Sequence, residues 1–258
     1  MTAGCTPPSR RMKPVKARKL HSWDVTPREA ARLQSELRRL IRLEPFAGPV
    51  RVVAGADVAF SRRDDLVFAA VVLMTWPECV TTATATAVRE GTFPYVPGLL
   101  SFREGPALLD AFGRLPEDPD LLFFDGQGIA HPRRFGLASH LGLLLDAPSI
   151  GCAKSRLCGE HGDLARTRGS VADLIDGGEV IGAAVRTRDS VRPLYVSPGH
   201  RMDLLSAISF TLASCRGFRL PEPTRRAHAL VTRFKSETVG AGGYSDLPPQ
   251  ESRPEGSP

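Results

Sequence analysis

Apolar and polar positions along this chain follow two periods, and the changes between them mark its elements. Ala30, Leu33, Leu37, Leu40 and Ile41 recur every three to four residues with Arg and Glu between them, which predicts a helix. Thr26-Pro27-Arg28-Glu29 opens it with an N-cap, a first-turn proline and a capping box, and Pro45 ends the stripe. Three strand patterns follow: Val50 to Phe60, Leu66 to Met74, which is apolar nearly throughout, and a Thr/Ala-rich run from Val80 to Arg89 that suits an edge. Phe102 to Leu115 reads as a helix, and Leu121 to Phe124 as a short buried strand cut off by Asp125 and the glycines after it. Gly136 to Leu145 is a small apolar helix and Pro148 to Ala153 a short strand. Glu179 to Thr187 and Arg192 to Val196 read as a hairpin across Arg188-Asp189-Ser190. A helix from Ser197-Pro198-Gly199-His200 to Cys215 carries Leu204, Leu205, Ile208 and Leu212. A last one, from Pro223-Thr224, carries Ala227, Leu230, Val231 and Phe234. This order predicts an α/β domain with a mixed central β-sheet, three antiparallel strands and then parallel strands joined by crossovers, flanked by helices.

Charge changes the picture mainly at one end. The net charge is +6, from 34 basic and 28 acidic residues. Arg10, Arg11, Lys13, Lys16, Arg18 and Lys19 supply that whole excess within residues 1–19, where no acid occurs. Residues 1–19 are therefore expected to be a disordered basic arm suited to a polyanion, residues 20–236 the folded domain, and residues 237–258, rich in Gly and Pro, a disordered tail. No run approaches the length of a membrane helix, and the N-terminal basic residues have no apolar segment behind them. The five cysteines are odd in number and form no CxxC pair, which argues against a disulfide framework or a zinc site and for a reducing cytoplasm.

The candidate chemistry lies where strand patterns end. Asp57 interrupts an otherwise apolar strand, and an unpaired buried carboxylate costs several kcal/mol, so it calls for a partner or a metal. Asp125 ends another strand, with His131, Arg133 and Arg134 close behind, a set suited to phosphate and metal. Were the two strands adjacent, both carboxylates would face one site, and hard oxygen donors without cysteine suit Mg²⁺ or Mn²⁺. Glu104 adds a third acid at the start of a helix, where the dipole alone could account for it. Lys154 ends a strand, and His228 sits on the outer side of the last helix, where a structural histidine is the blander reading. Pro94 and Pro97 stiffen Tyr95 into a projecting position fit for a wedge between bases. Three acids, a Lys and a His at strand tips describe metal-assisted phosphodiester hydrolysis. No phosphate-binding GxxxxGK[ST], dinucleotide glycine pattern or GxSxG elbow competes, and Ser139-His140 do not read as a dyad.

These stretches resemble the endonuclease V family over roughly residues 20–234. The resemblance is carried by VAGAD (53–57), FPYVPGLLSFRE (93–104), DGQGIAHPRR (125–134), GLASH (136–140), PSIGCAKSRL (148–157), VSPGH (196–200) and PEPTRRAH (221–228). It implies a ribonuclease H-like fold and a Mg²⁺-dependent endonuclease, with Mn²⁺ able to substitute. The implied enzyme recognises deoxyinosine in DNA and cuts the second phosphodiester bond on its 3′ side, leaving 3′-hydroxyl and 5′-phosphate ends, in DNA repair. Carried over by motif, Asp57, Glu104 and Asp125 would bind metal, Lys154 and His131 would assist at the phosphate, and His228 would be an accessory group. Pro94, Tyr95, Val96 and Pro97 would form the wedge, and backbone near Gly98, Leu100, Gly126 and Gly151 would line a pocket for the everted base. A cytoplasmic monomer acting on inosine-containing DNA is the expectation. The alternatives are an inosine-specific endoribonuclease and a non-catalytic nucleic-acid binder.

Overall fold

The chain is seen in a computed structural model that describes residues 15–61 and 63–240. In β2 (Leu66–Thr75) side chains are buried on both faces, so helices must cover both sides of the sheet there. β1 (Val52–Ser61), β2 and β3 (Thr81–Glu90) form an antiparallel meander. β4 (Leu121–Phe124) pairs parallel with β1, and β5 (Ser149–Ala153) pairs parallel with β4. The sheet continues with β6 (Val171–Asp176), β7 (Glu179–Val185) and β8 (Leu194–Pro198), and the eight strands lie in the order β3-β2-β1-β4-β5-β8-β7-β6.

Because side chains alternate along a strand, each strand feeds both layers. Ala54 and Ala56 of β1 and Leu122 and Phe124 of β4 pack toward α2 (Leu100–Phe112) and α3 (Leu137–Leu145). Val53 of β1 and Leu121 and Phe123 of β4 pack on the opposite layer, formed by α4 (Leu204–Ser214) and α5 (Glu222–Gly240). α1 (Pro27–Leu37) has the expected capping box, Thr26 with Glu29, and continues as a 3₁₀ turn at Arg38–Leu40. Among the described residues, no helix is long and apolar enough to cross a membrane.

The mixed sheet and the β7–β8 hairpin agree with the sequence, but the expected run of parallel strands stops at β5. β8 joins β5 antiparallel, and β7 and β6 continue antiparallel, so only β1, β4 and β5 run parallel. β6 went unseen because, of its six residues, only Leu174 is buried, and an exposed edge leaves little apolar signal. The helix expected from Ser197 starts at Leu204, since Ser197 and Pro198 finish β8 against β5 and Asp203 caps the helix through Ser206 N–H at 2.8 Å. α2 begins two residues before the expected Phe102 and ends at Phe112.

Within the expected arm, residues 15–19 are tied down: Val15 packs against the α2/α3 core, and Arg18 N–H donates to Leu144 O at 2.7 Å. α5 runs past the expected boundary at residue 237 to Gly240. The rest of the arm, residues 1–14, and of the tail, residues 241–258, lies outside the described residues.

α5 sits so close to β1 that a Cβ on Gly55 would fall 2.1 Å from the backbone carbonyl of Pro223. The backbone cannot yield as a flexible side chain would. Gly55→Ala is expected to cost about 1–3 kcal/mol or more in denaturant unfolding, as overpacked cores do. Gly162→Ala, where nothing lies within 4 Å, is the matched control. A Gly55→Ala midpoint equal to that of wild type would contradict this packing.

Candidate active site

The site follows from the register of two parallel strands. Val53 pairs with Leu121, Gly55 with Phe123 and Ala56 with Phe124, so the next pair in step is Asp57 beside Asp125. Both have the parity that faces α5, and Asp125 N–H still reaches Ala56 O at 3.3 Å. From α5, His228 Nδ1 donates to Asp57 Oδ2 at 2.7 Å, while Asp57 Oδ1 accepts from Val58 N–H at 2.9 Å. One ligating atom from each of Asp57, Asp125 and His228 lies within 4.8 Å of the others. Lys154, two residues beyond Cys152 on the same side of β5, sets its ammonium against Asp125 Oδ2.

Glu104 enters from the opposite layer. It lies in the second turn of α2, because the helix begins earlier than expected, so no first-turn dipole effect accounts for it. The side chain is 7 % exposed. Burial, reinforced by the charges of Asp57 and Asp125, pushes its pKa up to about 8 despite Arg103 nearby. Asp57 is raised for the same reasons, burial first and Asp125 second, offset by His228, Val58 N–H and Lys154. Burial and a neighbouring carboxylate both favour the protonated form of such a group, an effect that a bound cation would offset.

These groups border a cavity of about 470 Å³ whose walls include Asp57, Glu104, Asp125, Lys154, Tyr95, Pro97, Gly98, Leu100, Gly126 and His131. Its rim is the 93–100 turn. Phe93 and Leu99 are buried beside Phe102, Leu99 N–H closes onto Val96 O at 2.9 Å, and Gly98 has φ +79°, a left-handed value that favours glycine. Tyr95 stands out between these anchors, 65 % exposed, edge-on to Phe60. Pro94 borders an adjoining groove with Thr92 and Arg103, and Val96 packs inward on the Phe93 cluster. Gly151 does not line the cavity. A Cβ there would strike the backbone of Gly126 and Gly128, so its smallness lets β5 approach the loop after β4.

His131 lines the cavity with both ring nitrogens already engaged. Nε2–H donates to Gly98 O at 2.8 Å, and Nδ1 accepts from Arg133 N–H at 3.1 Å. Burial lowers its pKa to about 4, so it is neutral near pH 7. Arg134, read from sequence as part of a phosphate set, instead ties the loop to the β6–β7 hairpin through Asp176 at 2.8 Å and Glu179 at 2.7 Å. His140 bonds Ser101 and His21, not its neighbour Ser139. Sequence reading passed over Gln34, Gln127 and Arg156, which also line the cavity. Gln34 had a signal: it is a polar residue at 1 % exposure, four residues after Ala30 on the buried side of α1.

The sequence model described as Endonuclease V matches residues 35–229. The chain is 52 % identical over 234 residues to the Endonuclease V of Gloeobacter violaceus, covering 88 % of this chain and 94 % of that protein. It resembles the crystal structure of Endonuclease V from Streptomyces avermitilis with a TM-score of 0.81 at 44 % identity, covering 88 % of this chain and all of that one. It also resembles Endonuclease V of Ciona intestinalis in complex with a 24mer DNA containing an inosine followed by a ribo-adenosine, with a TM-score of 0.70 at 27 % identity, over 81 % of this chain and 98 % of that one. These relatives have the same ribonuclease H-like fold, and over most of its length the chain belongs to the endonuclease V family of nucleases, hydrolases that act on DNA.

Proposed function

We propose that this chain is a Mg²⁺-dependent endonuclease that recognises deoxyinosine in DNA and hydrolyses the second phosphodiester bond on its 3′ side, leaving 3′-hydroxyl and 5′-phosphate ends, in repair of deaminated adenine. The observation that carries the reading is Asp57 and Asp125 in register on adjacent parallel strands, with Glu104 buried opposite them, beside a cavity edged by an exposed tyrosine. Substrate class is supported by the relative bound to inosine-containing DNA.

The donor set fits a hard divalent cation: carboxylate oxygens without cysteine, with the pKa values of Asp57 and Glu104 raised by burial and by neighbouring carboxylate charge. Asp57, Asp125 and Glu104 would hold Mg²⁺, or Mn²⁺ in its place, with His228 beside them. When bound, such an ion supplies positive charge to the scissile phosphate and lowers the pKa of water. The chain's own groups do the rest. His228 keeps Asp57 oriented through its Nδ1–H. Lys154, paired with Asp125 and 40 % exposed, can turn its ammonium to a phosphate oxygen. His131, neutral and committed to Gly98, holds the rim and does not transfer a proton. Tyr95, with Pro94, Val96 and Pro97, would wedge between bases, and the everted hypoxanthine would enter the cavity beside Gly98, Leu100 and Gly126.

A second reading is cleavage at inosine in RNA. It is favoured by the relative whose inosine is followed by a ribonucleotide.

The test uses labelled DNA and RNA oligonucleotides carrying one inosine each, incubated with Mg²⁺, with EDTA and adenosine controls. A nick one nucleotide beyond inosine in the Mg²⁺ lanes alone is expected, and the faster substrate ranks the two readings. Binding with no nick in any lane would contradict both. Asp57→Asn should lower the rate by about 10³-fold or more, the several kcal/mol that a misplaced metal charge is worth, while gel-shift binding of the inosine strand persists. Cleavage near the wild-type rate would remove Asp57 from the metal set.

The protonated Glu104 makes a second prediction for metal-free protein. Its folded pKa is about 8 against an ordinary 4.5, so the folded state holds a proton that the unfolded state releases, and stability falls as pH rises through that window. Glu104→Gln, neutral throughout, should lose less stability than wild type between pH 5 and 8 in EDTA-buffered thermal melts. Parallel curves for the two proteins would contradict the shift.

A further inference from the structure

We infer that Gln34 and Arg133 are positioning residues for the recognition cavity, acting through the carbonyl of Gly98. Three donors converge on that one oxygen: Gln34 Nε2 at 3.0 Å, His131 Nε2 at 2.8 Å and Arg133 through a guanidinium nitrogen at 2.9 Å. A peptide carbonyl has two lone pairs, so three donors, one of them cationic, hold it harder than a turn alone would. Gln34 is in turn fully engaged. Its Oε1 accepts from Arg133 Nε, and its amide also donates to Phe135 O at 3.1 Å. Gln34 comes from α1, Arg133 from the loop after β4, and Gly98 from the turn carrying Tyr95. The clamp therefore joins three segments that no strand pairing connects.

Its consequence lies in where it aims the backbone. With the Gly98 oxygen turned into the clamp, the next residues begin α2 with Leu100 and Ser101 on the cavity wall, and the first N–H groups of a helix have no intrahelical acceptor. The clamp thus fixes the turn whose Pro97, Gly98 and Leu100 form part of the cavity wall, and a purine drawn into the cavity is sorted by that wall only while the turn stays in place. Buried Gln34 is unneeded for the chemistry at the carboxylates, and its amide would be costly to bury without these partners. The inference rests on the proposed substrate.

Two variants and two readouts test it. Gln34→Met keeps much of the volume and removes every bond; Arg133→Lys keeps the charge, sits at a partly exposed position, and loses the fork. Each should raise KM for the inosine oligonucleotide about tenfold, the scale of one lost buried hydrogen bond, with a smaller change in kcat and no loss on the adenosine strand. Amide hydrogen exchange across residues 96–101 should accelerate in both variants without substrate, while exchange in β2 stays slow. Should Gln34→Met fail to fold, Arg133→Lys carries the test. Unchanged inosine preference together with unchanged exchange at 96–101, in a protein that still cuts at inosine, would overturn the clamp and leave the proposed function standing. Accelerated exchange in a protein whose wild type shows no inosine preference would do the reverse, leaving the clamp and removing the substrate.

Discussion

The molecule is built around an unfavourable interaction. Parallel register puts Asp57 beside Asp125, and α2 lowers Glu104 onto the pair from the other layer, in a region that water hardly reaches. Like charges a few ångströms apart repel far more strongly in such a place than in water. The metal-free protein relieves this with a proton on Glu104, the Lys154 ion pair on Asp125 and the His228 hydrogen bond on Asp57. Much of the remaining structure makes that arrangement hold its shape. β2 is buried on both faces, both helical layers grip β1 and β4, and Gly55 lets α5 come close enough for His228 to reach Asp57.

The cavity rim is arranged differently. The acids stand on strand ends and helices whose positions are set by the core, whereas the cavity rim is a turn that packing alone would leave loose. Rigidity there comes from hydrogen bonds to backbone: His131, Gln34 and Arg133 on Gly98, and Arg103 on Gly91 and Phe93. Tyr95 stays exposed between those fixed points, at the edge of the cavity.

Much of this was legible in the residues, and the failures have physical causes. Asp57 and Asp125 stood out because a charge in or at the end of an apolar run is rare without a purpose, and Leu66 to Met74, apolar nearly throughout, announced a strand buried on both faces. β6 stayed hidden because an exposed edge strand has no buried face to write a pattern. The helix start was read at Ser197, which is used in the sheet, and not after Asp203, which caps it. Gly151 was read as pocket lining, yet its smallness serves the contact between β5 and the loop after β4. His131 and Arg134 looked like phosphate ligands because sequence shows a residue's chemistry and not whether that chemistry is already engaged within the fold. Gln34 left only a polar residue in an apolar stripe.

The central claim is that Asp57, Glu104 and Asp125 are held together to bind a divalent cation, and direct titration tests it most simply. Mn²⁺ added to the purified chain without nucleic acid can be followed by the loss of the free-ion signal in electron paramagnetic resonance. The account predicts uptake by the wild-type chain that strengthens as pH rises toward 8, as Glu104 gives up its proton, and that disappears in the Asp57→Asn/Asp125→Asn double variant. Equal uptake by the two proteins would contradict it.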